Sequence, residues 1–258
     1  MTNECLEARL RDIADATNPN LAISIADRRR KVTSAICQLI ESDVWLWFTG
    51  VIDPEANGDS MVTTFVDGGF SSDQERADFF RIIIHPELAP IATKPLAEAL
   101  RSQRTITCRR QELVSDHTWD LSPVSVIWNQ LGFDDFIISA FPVGTNGYSA
   151  LGFHRRINRP RFEETDSLIV SAMSHSLTWL HFAVSPPQAS EVALQLSPRE
   201  RQVLMMLLGG DSRKQVANKL GISEHTVTDY LKAIYSKFSV NSRAELLSKF
   251  VSSETNTP

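Results

Sequence analysis

Apolar and polar positions along the chain follow two different rhythms. From Val44 to Asp53 (VWLWFTGVID) and from Ser60 to Asp67, aromatic and β-branched residues flank Asn57-Gly58-Asp59, the signature of two strands joined by a hairpin turn. Phe133 to Val143 and Tyr148 to Ile157 repeat that arrangement across Asn146-Gly147. Around these pairs the apolar spacing becomes helical, over roughly Ala22 to Ser42, Ser72 to Ile84, Pro95 to Gln103, Pro123 to Leu131 and Phe162 to Phe182. Hairpins mixed with helices, without regular βαβ alternation, predict an α+β fold in which helices flank an antiparallel sheet.

Beyond this region the run Val184-Ser185-Pro186-Pro187-Gln188-Ala189-Ser190-Glu191 reads as a linker, because adjacent prolines cannot continue a helix and their neighbours are small or polar. The expected division is a sheet domain over 1–184, a linker over 185–195 and a helical domain over 196–258. The last part announces its own helix starts. Ser197-Pro198-Arg199-Glu200 places an N-cap serine before proline and a glutamate at the third position, and Ser212…Gln215 and Ser242…Glu245 repeat the capping box. A further helix is expected after Ser223, directly behind the turn residues Gly221 and Ile222.

Gln215 to Leu231 has the spacing of a helix-turn-helix. Ala217 is small where two helices must approach, Gly221 permits a left-handed turn, and Val216, Leu220, Ile222, Val227 and Leu231 supply shared apolar contact. At about 100° per residue, Val227, Leu231, Ile234 and Phe238 fall on one face of the helix after Ser223. His225, Thr228, Asp229, Lys232 and Ser236 fall on the other, which is free to enter a DNA major groove.

These residues resemble the LuxR-type helix-turn-helix family of bacterial transcription regulators. The resemblance covers nearly all of Leu196 to Phe250: L-S-P-R-E-R-Q-V-L, the V-A-x-x-L-G-I-S turn, Thr226-Val227, and I-x-x-K-F-x-V-x-x-R ending at Arg243. Many relatives have a basic residue after Thr-Val where this chain has Thr228, and often His where it has Tyr230. Resemblance and helical wheel together assign Thr228, Asp229 and Lys232 to base edges, with Thr226, Tyr230 and Lys237 near phosphates. Lys232 matches guanine O6/N7 and Asp229 can accept from cytosine N4. Arg213 and Lys214 open the preceding helix, which is expected to cross the backbone. The competing reading of these charges is an ordinary solvated face, with Asp229 merely paired to Lys232 at i,i+3.

Charge agrees with this division of labour. The net charge of the chain is −5, but Leu196 to Phe250 holds nine basic residues against five acidic ones, so the acidic balance belongs to the rest. An acidic body with a basic end points to a polyanionic partner for the end alone. Composition (42% hydrophobic, 22% charged) is that of a globular chain. Ser167 to Val184 lacks formal charge but carries four serines, a threonine and two histidines, so no membrane span is expected. Met1 to Arg11 has no export signal, which makes the cytoplasm the expected compartment. Cys5, Cys37 and Cys108 are widely spaced and read as small buried hydrophobes, with no disulfide framework, metal site or cofactor expected.

The stretches FDDFIISAFPV, GYSALGFHRR and RPRFEETDSLIVSAMS look like the closing half of a GAF-type sensor domain. The resemblance implies a small molecule bound against the sheet, with Trp45, Trp47, Phe65, Trp119, Trp128 and Phe136 as candidate walls, though aromatic residues at such positions ordinarily form core. Trp45 and Trp47 share one strand face by period two. A phosphoacceptor receiver domain is disfavoured by the missing βα alternation. The acyl-homoserine-lactone class is disfavoured because Tyr148 is the only tyrosine before the linker. His154-Arg155-Arg156 reads as a solvated strand end, with Arg155 turned to the opposite face. No nucleophile elbow, phosphate loop or His-Glu-x-x-His occurs, so no enzymatic activity is expected. On a wheel running to Phe182, the last sheet-domain helix leaves only Ser167, Ser171, Ser174, Thr178 and His181 as a polar stripe. So wide an apolar arc predicts a homodimer. A non-enzymatic protein-interaction adaptor that keeps the helix-turn-helix without reading DNA is the rival function.

Overall fold

The computed structural model describes residues 3–18, 24–52, 60–83, 97–144, 147–181, 192, 195–208 and 211–250. Helices α1 (Asn3–Thr17) and α2 (Ile25–Leu39) precede strands β1 (Val44–Ile52) and β2 (Ser60–Gly68). Then come α3 (Asp73–Ile83), the described part of α4 (97–101), β3 (Ile106–Arg109), and three short helices, α5 (Arg110–Leu113), α6 (Asp116–Asp120) and α7 (Pro123–Gln130). Strands β4 (Phe133–Val143) and β5 (Gly147–Arg156) complete one antiparallel sheet of order β2-β1-β5-β4-β3, followed by α8 (Glu164–Ser176). Both expected hairpins are therefore present as strand pairs, while their turn residues at 53–59 and 145–146 lie outside the described residues. Helix α1, strand β3 and the short helices α5 and α6 were not expected from the sequence pattern.

Period-two alternation divides the sheet into two buried faces. Trp45, Trp47, Ile137, Leu151 and Phe153 pack against Val32 and Ile36 of α2 and Val170 of α8. Val44, Leu46, Phe133 and Phe136 face the other way and pack with Phe79 of α3, Trp119 of α6 and Trp128 of α7. The two tryptophan pairs thus lie on opposite sides of the sheet and cannot line one pocket together. Trp47 donates from Nε1 to Leu180 O at 3.0 Å, and the Arg29 guanidinium sits 3.9 Å above its ring. Trp119 reaches Asp134 Oδ1 at 3.3 Å. Of the two other candidate walls, Phe65 packs on Phe80 with centroids 4.5 Å apart, and Phe136 stacks on Trp128.

Three expectations about this part need correction. The strand end His154-Arg155-Arg156 is not solvated: His154 and Arg155 are both buried. Arg155 donates to Ile40 O (2.6 Å), Pro160 O, Arg161 O and Asp166 Oδ2, and its guanidinium lies 4.0 Å over Phe162, so β5 ends inside a clamp. Arg156 pairs with Glu75 of α3. His154 stacks on Trp128 and meets Phe79 edge-on, and burial pushes its pKa down to about 3.

The helix expected to run to Phe182 stops at Ser176. Leu177 leaves helical geometry (φ −102, ψ 57) and a single 3-10 turn over Thr178–Leu180 follows. The wheel drawn through Phe182 therefore does not describe one surface, and its polar stripe points largely inward. Ser167, Ser174 and His181 are buried. Ser139 Oγ donates to Ser174 Oγ at 3.0 Å, and His181 Nδ1 lies 3.0 Å from Ser149 Oγ with its ring stacked on Phe141. These serines satisfy one another against the sheet, which is why polar residues occupy the packed side of α8. Leu168, by contrast, is 59% exposed.

Cys37 and Cys108 are buried as expected, and burial raises the Cys108 thiol to about 12. The Cys5 side chain lies outside the described residues, as does most of the expected linker over 185–195. Among the described residues no helix is long and apolar enough to cross a membrane, and no group of His, Cys, Asp and Glu has metal-site geometry.

Candidate nucleic-acid interface

The C-terminal residues form four helices, α9 (Pro198–Leu208), α10 (Arg213–Leu220), α11 (Glu224–Phe238) and α12 (Arg243–Phe250). Each start is capped by the residue the sequence pattern nominates. Ser197 Oγ accepts from Glu200 N at 3.3 Å, while Glu200 Oε2 accepts from Ser197 N at 2.6 Å. Ser212 and Gln215 close the same reciprocal pair, and Ser223 Oγ accepts from Thr226 N at 3.0 Å. At the last helix Ser242 Oγ accepts from Glu245 N, but the returning Glu245 carboxylate takes Asn241 N–H instead of Ser242 N–H. Orphan amides at all four starts find acceptors, so short helices persist where isolated ones would fray.

The turn between α10 and α11 depends on Gly221. Its φ of +64 is a left-handed conformation, and its N–H and that of Ile222 return to Ala217 O and Asn218 O, ending α10. Asp211, just before α10, accepts from Lys219 Nζ near its end at 2.7 Å and fastens the helix across its length. Val227, Leu231, Ile234 and Phe238 of α11 are buried with Val203 and Leu207 of α9 and Val216 and Ala217 of α10. That stripe fixes the rotation of α11 about its axis, so the opposite side must face solvent.

On that side the side chains of His225, Asp229 and Lys232 are 85%, 54% and 72% exposed. They form a line along the helix, with His225 Nδ1 at 3.2 Å and Lys232 Nζ at 3.4 Å from the two Asp229 oxygens. Thr228 is half-buried and its hydroxyl donates back to Glu224 O at 2.9 Å. Thr226 Oγ1 lies 2.9 Å from Ser223 Oγ at the cap, and Tyr230 is half-buried against the helical core. Arg213 and Lys214 are exposed at the first turn of α10. Lys237 is already engaged: its ammonium donates to Glu200 Oε2 at 2.8 Å and to Gln195 O at 3.0 Å. The structure thus brings Asp229 and Lys232 together with His225, while Lys237 sits in an ion pair at the far end. The i,i+4 spacing of His225 and Asp229 was a legible signal for their pairing; the Asp211–Lys219 and Glu200–Lys237 ties had none.

A capped bundle of four short helices, with one helix burying one stripe and presenting the other, defines a helix-turn-helix module. Residues 194–250 match the GerE model, bacterial regulatory proteins of the luxR family, and this segment is a LuxR-type helix-turn-helix domain. An HTH-type transcriptional regulator from the exeN 3′ region of Aeromonas salmonicida is 33% identical over 101 residues, 39% of this chain and 52% of that protein. The transcriptional regulatory protein FixJ of Bradyrhizobium diazoefficiens is 42% identical over 65 residues, 25% of this chain and 31% of its own length. The chain therefore spans about half the length of the first relative and less of the second. Among solved structures, Escherichia coli SdiA covers 95% of this chain and 95% of its own, at 14% identity and a TM-score of 0.43.

Proposed function

We propose that the chain is a DNA-binding transcription regulator that reads DNA through α11. The observation that carries this reading is the division of α11 into a buried stripe (Val227, Leu231, Ile234, Phe238) and an exposed line of polar residues on a bundle whose four helix starts are capped. In this reading Thr228, Asp229 and Lys232 approach base edges, and Thr226, Tyr230, Arg213 and Lys214 approach phosphates. Lys237 contributes to the phosphates only through the ammonium donors left over from its pair with Glu200. The Asp229–Lys232 ion pair is exposed and worth little by itself, so exchanging it for base contacts costs little.

The sheet part, proposed to span 1–184 and to be joined by a 185–195 linker to the 196–258 head, is read as a GAF-like sensor acting in the cytoplasm. Trp45, Trp47, Trp119 and Trp128 are all buried in packed core, with Trp47 tied to Leu180 beneath Arg29 and Trp119 tied to Asp134 beside Arg110, so the small molecule is proposed for the sheet part as a whole and for neither face in particular. Native mass spectrometry of the purified chain tests the sensor reading through the mass of any co-purifying compound. Two copies are proposed to read two half-sites. Sedimentation showing only monomer at micromolar concentration rejects the dimer.

Selection of random duplexes by the full chain tests the regulator reading. Enrichment of one sequence is the expected result, and Lys232→Ala should lower the preference for it over random duplex by roughly 1–3 kcal/mol. Failure to enrich any sequence, with the head folded, leaves a protein-interaction adaptor as the function.

A further inference from the structure

Val51 is the penultimate residue of β1 and is only 6% exposed. Its neighbour on β5 is Gly147, which has no side chain to cover it. By alternation it continues the face of Trp45, Trp47 and Thr49, yet it does not join the core beneath α2 and α8. It belongs to the buried cluster whose other buried members all lie between Leu196 and Leu246 in the C-terminal part, among them Val203, Leu207, Val216 and Ile234. The apolar core of the head therefore extends onto the end of the sheet, and among the described residues it does so at this one buried side chain.

We propose that Val51 is a docking point through which the end of β1 holds the helix-turn-helix head in a set orientation. The contact does not mask the head, because the His225, Asp229 and Lys232 side of α11 stays open to solvent while Val51 is covered. It aims the head. Strand β1 also carries Leu46 and Phe48 on its other face, against the aromatic cluster around Trp119 and Trp128. One strand thus touches the packed cores on both faces of the sheet and the head. The consequence for DNA rests on the regulator reading; the contact itself does not.

The test is rotational tumbling of the full chain by 15N relaxation. In the native protein, amides of α10 and α11 should share the correlation time of β1 and β5. Val51→Glu places a carboxylate in the apolar contact and should lower the docked-to-free ratio by about tenfold or more, so that head amides tumble faster than sheet amides. Val51→Ala should give an intermediate effect with the amide shifts of β4 and β5 unchanged, and it decides the matter if Val51→Glu disrupts the sheet. A head that tumbles independently in the native chain, or identically in all three proteins, overturns the proposal. Binding of a selected duplex is measured separately: a chain that binds no DNA but whose head is freed by Val51→Glu sinks the regulator reading and leaves the docking contact standing.

Discussion

Lys237 Nζ lies 2.8 Å from Glu200 Oε2, which fastens the last turn of α11 to the first turn of α9. The same oxygen accepts from Ser197 N at 2.6 Å, so one carboxylate caps one helix and anchors another. Together with the buried stripe, this tie determines which side of α11 faces outward, before any contact with DNA.

That tie should make the head acid-sensitive. Burial alone would raise the Glu200 pKa, but hydrogen bonds from Lys237 and Ser197 together hold it below the ordinary 4.5. A carboxylate with a lower pKa folded than unfolded contributes stability that is fully present above its unfolded value and is lost as pH falls through the folded one. Melting of the helical part, followed by circular dichroism, should weaken below about pH 4.5. Glu200→Gln should cost about 1–3 kcal/mol at neutral pH and flatten that acid limb.

Gly221 should resist substitution for reasons of backbone strain alone. A Cβ there would meet no atom within 4 Å, so Gly221→Ala introduces no clash, only an L-residue at φ +64. Denaturant titration should show a loss of about 1–2 kcal/mol for alanine, and a smaller loss for asparagine, which tolerates this conformation better. A larger alanine effect would mean that the turn depends on close packing.

How much of this was legible beforehand follows from how local the signals are. Capping boxes, a left-handed glycine and a 3.6-residue apolar stripe each involve residues within a few positions of one another, so the four head helices and the outward side of α11 were readable from Ser197, Ser212, Gly221 and Ser223. The two hairpins were readable for the same reason. Burial of Arg155 was not, because its partners Ile40 and Asp166 lie 115 and 11 residues away. The end of α8 is not legible locally, because apolar residues continue past Ser176. What turns the chain there is tertiary: Leu180 O accepts from Trp47, 133 residues earlier, and His181 packs on Phe141. Alternation placed Trp45 and Trp47 on one face, but nothing local revealed which helices would cover them.

His154 offers a test of the aromatic side of the sheet. Its Nδ1 is buried without a hydrogen-bond partner, and burial holds the ring neutral by lowering its pKa to about 3. An imidazole whose pKa is lower folded than unfolded supplies stability that is complete above its unfolded value of about 6.5 and is lost as pH falls toward 3. His154→Phe keeps an aromatic ring between Phe79 and Trp128 and removes both the orphan nitrogen and the titration. Thermal melts of this variant should match or exceed those of the native protein at neutral pH and decline less between pH 6 and 4. A variant destabilised at neutral pH would show that the imidazole has a polar partner.

If α11 and the start of α10 meet a phosphate backbone, the affinity of the full chain for a selected duplex, measured by fluorescence anisotropy as salt is raised, reports it most directly. Neutralising several phosphates releases counterions, so log K should fall linearly with log salt at a slope of about −0.9 per contact. Arg213→Ala should make that slope shallower by about one contact. Binding that is indifferent to salt, or no binding at any ionic strength with the head intact, would contradict the account.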